Sequence, residues 1–291
     1  MSSIVDVLAN GLWLGSTYAL IALGMVLVFR ATQTLNFAQG ELMLLPAYIV
    51  AKLSVSSGLP VYAAVCLAIA VTAAVGAIIY LVLLRHTVGM SMFVSVVVTM
   101  GVAIVLDGLM AIIFGPNDQY YKLPGLPTGT VSALGSRISL FTIVMGALSF
   151  GLALVVAGVL RYTYAGMRLR AAGQDTLLAS QGGINVSRIC LISWSIAGAL
   201  AAVAGISYGA SNVVNVSVIA LALNAFPAML LGGLDSIEGA ILGGAIIGLV
   251  QAAVSVYANG ALAGVVSYFV LLLTLLFLPH GIFGTREVAR V

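Results

Sequence analysis

The sequence predicts an all-α, polytopic integral membrane protein with about eight to nine transmembrane helices. Of the 291 residues, 62% are hydrophobic and only 7% are charged, against about 25% charged in an average soluble domain. Uncharged apolar runs of 22 residues, at 139–160 and 189–210, are long enough to cross a bilayer core of roughly 30 Å as helices. Glycine occurs 33 times and lets membrane helices approach closely. These observations exclude an ordinary soluble fold.

Seven segments have the length and composition of complete spans, and a polar connection at 115–138 separates the third from the fourth. The seven are 7–29, 60–84, 91–114, 139–160, 189–210, 239–258 and 262–278. Two further segments are interrupted: 36–53 contains Pro46 and is predicted to be a broken or short helix, and 213–234 contains Asn224 and Pro227. Interrupted segments at similar places in two halves suggest an inverted repeat whose broken helices line a binding path.

The span at 239–258 carries two glycine pairs, each separated by four residues. The pairs are Gly239 with Gly243 and Gly244 with Gly248. Residues four apart lie on the same face of a helix, and small residues on one face allow another backbone to come close. We therefore predict that these four glycines are helix-packing positions.

Residues 161–188 form the longest polar interval and carry four arginines against one acid, Asp175. A basic loop between two spans belongs on the cytoplasmic side. If all nine segments cross, the amino terminus is external, and eight basic residues are cytoplasmic against three external. The cytoplasmic ones are Arg30, Arg85, Arg161, Arg168, Arg170, Arg188, Arg286 and Arg290, and the external ones are Lys52, Lys122 and Arg137.

The basic loop also contains the signals of a short helix. The carboxylate of Asp175 can accept a free backbone N–H at a helix start, and residues 176–181 can form about one and a half turns before Gly182 and Gly183 end it. Leu177 and Leu178 would then face the cytosol and need an apolar partner. We interpret this helix as a docking element for a cytosolic subunit, with a plain solvated loop as the alternative.

Polar residues within the apolar segments are candidates for a transport path. A carboxylate inside a span costs roughly 2.5–3.5 kcal/mol, and Glu41, Asp107, Asp235 and Glu238 lie at or near membrane depth. Asn36 and Gln39 have the spacing of a capping box. The predicted path residues are Thr17, Asn36, Gln39, Glu41, Ser95, Thr99 and Asn224. Each of them is alternatively a satisfied cap or packing contact, and Asp235 and Glu238 fit a solvated turn.

The sequence lacks the motifs of a nucleotide site, a metal site or a catalytic grouping. A P-loop needs glycines followed by Lys and Ser or Thr, whereas the two lysines, Lys52 and Lys122, follow Ala51 and Tyr121. His86 and His280 stand alone near span ends, so no cluster of metal ligands is predicted. We expect a chain that is not an enzyme and that binds no cofactor or metal itself.

Five ordered motifs give the chain a family resemblance. They are GSTYALIALG at 15–24, NFAQGE at 36–41, the basic loop with Arg170, Ala171, Asp175, Ala179 and the Gly-Ile-Asn of 183–185, LGGLDSIEGAILGG at 231–244, and LPHGIFG at 278–284. Over essentially its whole length the chain resembles the inner-membrane permease subunits of bacterial ATP-binding-cassette (ABC) importers for branched-chain amino acids. Gln39, Gln174 and Glu238 depart from the residues common in that family, which are His, Glu and Pro.

The resemblance implies one permease domain over 1–291 with a cytoplasmic coupling loop at 161–188. It implies ATPase-coupling roles for Arg168, Arg170, Ala171, Asp175, Leu177, Leu178, Ala179, Gly183 and Asn185. The implied partners are two cytosolic ABC ATPase subunits that use the ATP, a second homologous permease forming a heterodimer, a periplasmic solute-binding protein and membrane lipid, with no nucleic acid. The implied location is the bacterial inner membrane, with multiple spans.

Two other functions remain open at this point. The chain would be a proton-coupled secondary transporter if Glu41 or Asp107 carried a proton, or a structural membrane subunit if it lined no path. The resemblance also leaves open whether the substrate is a branched-chain amino acid, another amino acid, urea or a short amide.

Overall fold

The computed structural model describes residues 2–56, 58–87, 90–127, 129–133 and 136–284, which are mainly helical. In chain order the helices are α1 Ser2–Thr32, α2 Gln39–Ser56, α3 Val61–Val82, α4 Met92–Phe114, α5 Leu140–Tyr162, α6 Tyr164–Gln174, α7 Thr176–Gln181, α8 Val186–Gly209, α9 Ser217–Leu223, α10 Ala225–Gly232, α11 Ile237–Tyr257 and α12 Gly260–Phe277. A 3₁₀ turn, Leu84–His86, follows α3. Arg286 and Arg290, used above for orientation, lie outside the described residues.

Seven of these helices have the length and hydropathy to cross a membrane: α1, α3, α4, α5, α8, α11 and α12. They confirm the predicted all-α, polytopic architecture. The pair α9 and α10 is apolar but shorter, and α2 has 18 residues. The exact number of crossings stays a prediction, as does the inverted repeat.

The two interrupted segments differ in the structure. α2 is one continuous helix of 18 residues with Pro46 inside it, so of the two predicted alternatives the short helix is right and the broken helix is wrong. Proline removes one hydrogen bond to the carbonyl four residues earlier, but α2 packs against α3, α4, α8 and α9, and neighbouring helices stabilise such a site. The second segment is interrupted, because α9 ends at Leu223 and α10 begins at Ala225.

The polar connection before α5 contains a short β-hairpin that the all-α prediction missed. Strand β1, Thr130–Ala133, pairs with β2, Ser136–Ser139, in antiparallel register with Thr130 opposite Ser139. Strands of four residues are too short to give a clear alternating pattern in the sequence.

The described residues divide into two compact units. Unit 1 takes those within 1–26, 126–157 and 224–291, and unit 2 takes those within 27–125 and 158–223.

Within unit 1, α11 makes its closest contacts through glycine. Gly239 and Gly243 face α10, where an added Cβ would overlap backbone carbonyl oxygens. Gly244 and Gly248 face α1 at Ala19 and Gly15, where an added Cβ would overlap backbone atoms. All four predicted packing glycines therefore lie against another backbone, on two faces of one helix.

A buried chain of hydrogen bonds also joins α1, α11 and α12 in unit 1. The Tyr18 hydroxyl donates to Gln251 Oε1 at 2.6 Å, and Gln251 Nε2 lies 2.5 Å from the Ser267 hydroxyl oxygen. We expect Gln251→Leu to lower the free energy of unfolding by about 1–2 kcal/mol, because two buried polar groups lose a partner. Thermal unfolding in detergent measures this, and in a Tyr18→Phe background the loss should shrink. An unchanged melting temperature would contradict the prediction.

Within unit 2, α8 packs between α2 and α3 at close range. An added Cβ at Gly205 would overlap the carbonyl oxygen of Met43 on α2. On the other side, an added Cβ at Gly198 would stand 2.6 Å from the carbonyl oxygen of Thr72 on α3. Glycine therefore determines the spacing of these three helices.

Two helices present most of their apolar side chains outward. The exposed residues of α4 include Phe93, Ile104, Val105 and Ile112, and those of α12 include Val265, Leu272, Leu276 and Phe277. Exposed apolar area of this extent requires a lipid or protein neighbour, as expected for membrane-spanning helices.

Candidate functional site

The basic segment 161–188 is folded rather than a solvated loop. α6 follows α5 after one intervening residue, and the turn is tight, because an added Cβ at Gly166 would overlap the carbonyl oxygen of Leu160. The buried residues of α6 include Leu169 and Ala172. The sequence prediction contained the following helix, α7, but not α6.

α7 begins with the predicted cap. Asp175 has an extended backbone, and its Oδ1 accepts hydrogen bonds from the N–H groups of Leu177 and Leu178, both at 2.9 Å. These bonds satisfy two of the donors that a helix start leaves free.

The carboxyl end of α7 is closed by a Schellman motif. Gly183 has a φ of +81°, its N–H donates to the Ser180 carbonyl at 3.0 Å, and the Ile184 N–H donates to the Ala179 carbonyl at 3.0 Å. Asn185 then caps α8 by accepting a hydrogen bond from the Arg188 N–H at 3.0 Å. Both ends of α7 are therefore fixed by its own flanking residues.

The two leucines of α7 are the most exposed part of its apolar surface. Leu177 is 65% exposed and Leu178 is 64% exposed, whereas Ala179 is buried. A short helix that is capped at both ends and presents two adjacent leucines is suited to insertion into an apolar cleft of another protein. The predicted coupling role of this segment stays a prediction.

Two arginines of α6 that were assigned the same role lie in different environments. Arg170 donates through Nη1 to the carbonyl of Leu160 at 2.8 Å and through Nη2 to that of Arg161 at 3.4 Å, so it binds the end of α5. Arg168 is exposed and Ala171 is partly buried. The structure therefore gives Arg170 an internal contact that the sequence did not reveal.

We expect Arg170→Ala to lower the free energy of unfolding by about 1–2 kcal/mol, because two carbonyls at a helix end lose a charged donor. Arg168→Ala is the matched control and should change stability by less than about 0.5 kcal/mol, as is usual for surface positions. Thermal unfolding of the two purified variants makes the comparison. Equal melting temperatures would show that the Arg170 contacts contribute nothing to stability.

A buried polar cluster lies at the start of α2 in unit 2. Asn36 Oδ1 accepts from the Ala38 N–H at 3.1 Å, and Asn36 Nδ2 donates to Gln39 Oε1 at 2.8 Å. Gln39 Nε2 lies 3.4 Å from the carbonyl oxygen of Ala197 on α8. The predicted capping box is thus replaced by an Asx turn with a side-chain pair, because Asn36 bonds the residue two positions on.

α4 contributes two hydroxyls beside this cluster. Thr99 Oγ1 accepts from the Phe37 N–H at 3.3 Å and lies 3.1 Å from the Leu35 carbonyl oxygen. One turn earlier, the Ser95 hydroxyl donates to Thr87 Oγ1 at 3.0 Å. The structure thus brings together Asn36, Gln39 and Thr99, with Ser95 nearby and all of them buried.

Glu41 differs from its polar neighbours. It lies in the first turn of α2 and is only 6% exposed. Its Oε2 is fully buried without a hydrogen-bond partner.

The other two predicted path residues belong to unit 1. Thr17 is buried, and its hydroxyl donates to the Trp13 carbonyl of its own helix at 3.2 Å. Asn224 precedes α10, is partly buried, and makes no side-chain cap.

A pocket of about 480 Å³ in unit 2 was not predicted. It is lined by Tyr120, Tyr121, Lys122, Ala210, Ser211, Asn212 and Val213. The Tyr121 hydroxyl donates to the Ile206 carbonyl at 2.7 Å, and burial raises the pKa of this tyrosine, so it remains a neutral donor. The sequence signal that could have indicated this pocket is the pair Tyr120 and Tyr121 followed by Lys122.

Long apolar helices with a buried polar cluster between them define a class of protein, the polytopic membrane proteins. Comparison with known protein families then identifies the family to which the chain belongs. A family model described as "Branched-chain amino acid transport system / permease component" matches residues 7–275, and the chain belongs to this family.

Individual permeases are similar in sequence to this chain over nearly its whole length. The chain is 34% identical to the high-affinity branched-chain amino acid transport system permease protein LivH of Salmonella typhimurium, covering 97% of this chain and 96% of that one. It is 33% identical to LivH of Escherichia coli with the same coverage, and 33% identical to BraD of Pseudomonas aeruginosa over 98% and 97% of the two chains. Permeases of this family are membrane subunits of ABC importers, and the chain is a multi-pass protein of the bacterial inner membrane.

Proposed function

We propose that this chain carries branched-chain amino acids across the inner membrane as one of two permeases in an ABC importer. The similarity to three permeases named for branched-chain amino acid transport supports the substrate class. The observation that carries the mechanism is α7, a helix capped at both ends whose leucines are exposed.

In the proposed division of labour this chain hydrolyses no ATP and binds no cofactor. Two cytosolic ABC ATPase subunits use the ATP, and one of them receives α7 in a cleft. Residues 1–291 act as one permease domain, with 161–188 as its coupling segment. A second, homologous permease completes a heterodimer, and a periplasmic binding protein delivers the substrate.

The proposed path includes the buried cluster of unit 2. Asn36, Gln39, Glu41, Ser95 and Thr99 provide the polar groups along otherwise apolar helices, and their burial supports this role. Thr17 and Asn224 are proposed as further path residues. Alanine at any of these positions should alter uptake without loss of the protein from the membrane.

Copurification from the native membrane followed by reconstitution tests the proposal. The complex should contain ATPase subunits, and proteoliposomes should take up radiolabelled leucine only with ATP and the binding protein. Unlabelled isoleucine and valine should compete, whereas urea and acetamide should not. Uptake by the purified chain alone, abolished by a proton ionophore and by Glu41→Gln, would instead favour a proton-coupled secondary transporter.

A further inference from the structure

Glu41 is a buried acid whose second oxygen has no partner. It is 6% exposed, and within the described structure Oε2 is enclosed without a hydrogen bond. Because a carboxylate loses its hydration on burial, such a group is normally paired with a cation or a donor. An isolated one at membrane depth marks a position at which a ligand or a proton supplies the missing partner.

The neighbouring polar side chains do not supply it. Asn36 and Gln39 are bonded to each other, and the Gln39 amide points to the carbonyl of Ala197 on α8. Gly40, the residue before Glu41, lies against an aliphatic side chain, because an added Cβ there would stand 2.8 Å from Cγ2 of Ile219 on α9. The residue before the acid is therefore packed against an aliphatic side chain, and no group of the described structure donates to Oε2.

We propose that Glu41 binds the ammonium group of the amino acid in transit through Oε2. This inference rests on the proposed function and narrows its substrate class to molecules that carry a cationic amino group. An ammonium offers three N–H donors and a full positive charge, and its attraction to a carboxylate is stronger in a buried site than in water. Urea and short amides, in contrast, have no cation for this acid.

The acid can be examined chemically in the unmodified importer. Trypsin cleavage after Arg30 and Lys52 releases the peptide 31–52, in which Glu41 is the only acidic side chain. The hydrophobic reagent dicyclohexylcarbodiimide, applied to the assembled wild-type complex, should label this peptide, as detected by mass spectrometry. Leucine should reduce the labelling at least fivefold, whereas 4-methylpentanoate, which has leucine's carbon chain without the amino group, should leave it unchanged within twofold.

Two substitutions distinguish the effect of the Glu41 charge from the effect of the shape of its side chain. Glu41→Gln keeps the size and polarity of the side chain but removes its charge, and should lower leucine uptake at least tenfold in complexes that still contain the ATPase subunits. Glu41→Asp keeps the charge one methylene further away and should retain more uptake than Glu41→Gln. Ser207→Ala is the matched control, because the Ser207 hydroxyl is also buried in unit 2 without a partner but carries no charge, and uptake should stay within twofold of wild type.

The outcomes distinguish this inference from the proposed function. Absence of leucine uptake by the wild-type complex would overturn the proposed function. If the wild type takes up leucine but Glu41→Gln matches it within twofold, the acid acts in its neutral form and the ammonium site is wrong. If Glu41→Gln fails to assemble, the labelling decides, and equal protection by leucine and 4-methylpentanoate overturns the inference. If the wild-type peptide takes no label, the inference is tested by leucine uptake alone. Uptake by the Glu41→Asp complex that does not exceed uptake by the Glu41→Gln complex would then overturn it.

Discussion

Replacing Leu177 and Leu178 together with glutamate should reduce ATP-driven uptake to below about 5% of wild type without unfolding the chain. Both side chains are mostly exposed, so their replacement removes little internal packing. In the proposed complex they are buried in an ATPase cleft, and losing two such contacts costs about 3 kcal/mol, or a factor of ~100 in affinity. Uptake into proteoliposomes and retention of the ATPase on the purified permease measure the effect.

Met167→Glu is the control for this substitution. Met167 is a similarly exposed apolar residue, but it lies on α6 rather than α7. Met167→Glu should leave uptake within about threefold of wild type. This result would distinguish the loss of a specific docking contact on α7 from a general effect of added negative charge. Normal uptake by the double variant would remove α7 from the coupling mechanism.

Gly243→Ala should lower the free energy of unfolding by about 3 kcal/mol, at the upper end of overpacking effects. The new methyl group would overlap the carbonyl oxygen of Ala228. A backbone atom cannot move aside as a side chain can, so α10 and α11 must separate and lose packing along their contact. Thermal unfolding in detergent, together with the yield of monodisperse protein, measures the loss.

The same substitution at Gly151 gives the opposite expectation. An added Cβ at Gly151, on the exposed side of α5, meets no atom within 4 Å. Because alanine favours a helix over glycine by roughly 0.5–1 kcal/mol, Gly151→Ala should leave stability unchanged or raise it slightly. Similar melting temperatures for the two variants would show that α10 and α11 are not closely packed.

The membrane-spanning helices could be predicted from sequence because bilayer thickness and composition determine their length. The continuity of α2 could not, since Pro46 is a local signal for a break whereas packing against four other helices is a long-range effect. The hairpin β1–β2 is too short for its pattern to be recognised.

In the candidate site, the features that depend on residues close in sequence could be predicted. The features that depend on residues close only in space could not. The cap at Asp175 and the glycine end at Gly183 are local, and both occur as expected. The contacts of Arg170 with the end of α5 involve carbonyls about ten residues away. The unpaired Oε2 of Glu41 depends on which groups surround it in space, and the motif NFAQGE does not reveal them.

The glycine faces of α11 have a mechanical consequence. Side chains between helices can change rotamer and let one helix slide, but α11 meets both α1 and α10 with backbone against backbone. At these glycines no side chain separates the helices, so small displacements would create collisions on two sides at once. During a transport cycle α1, α10 and α11 should move as one rigid body. The gating displacement should occur at helix interfaces that are lined by larger side chains.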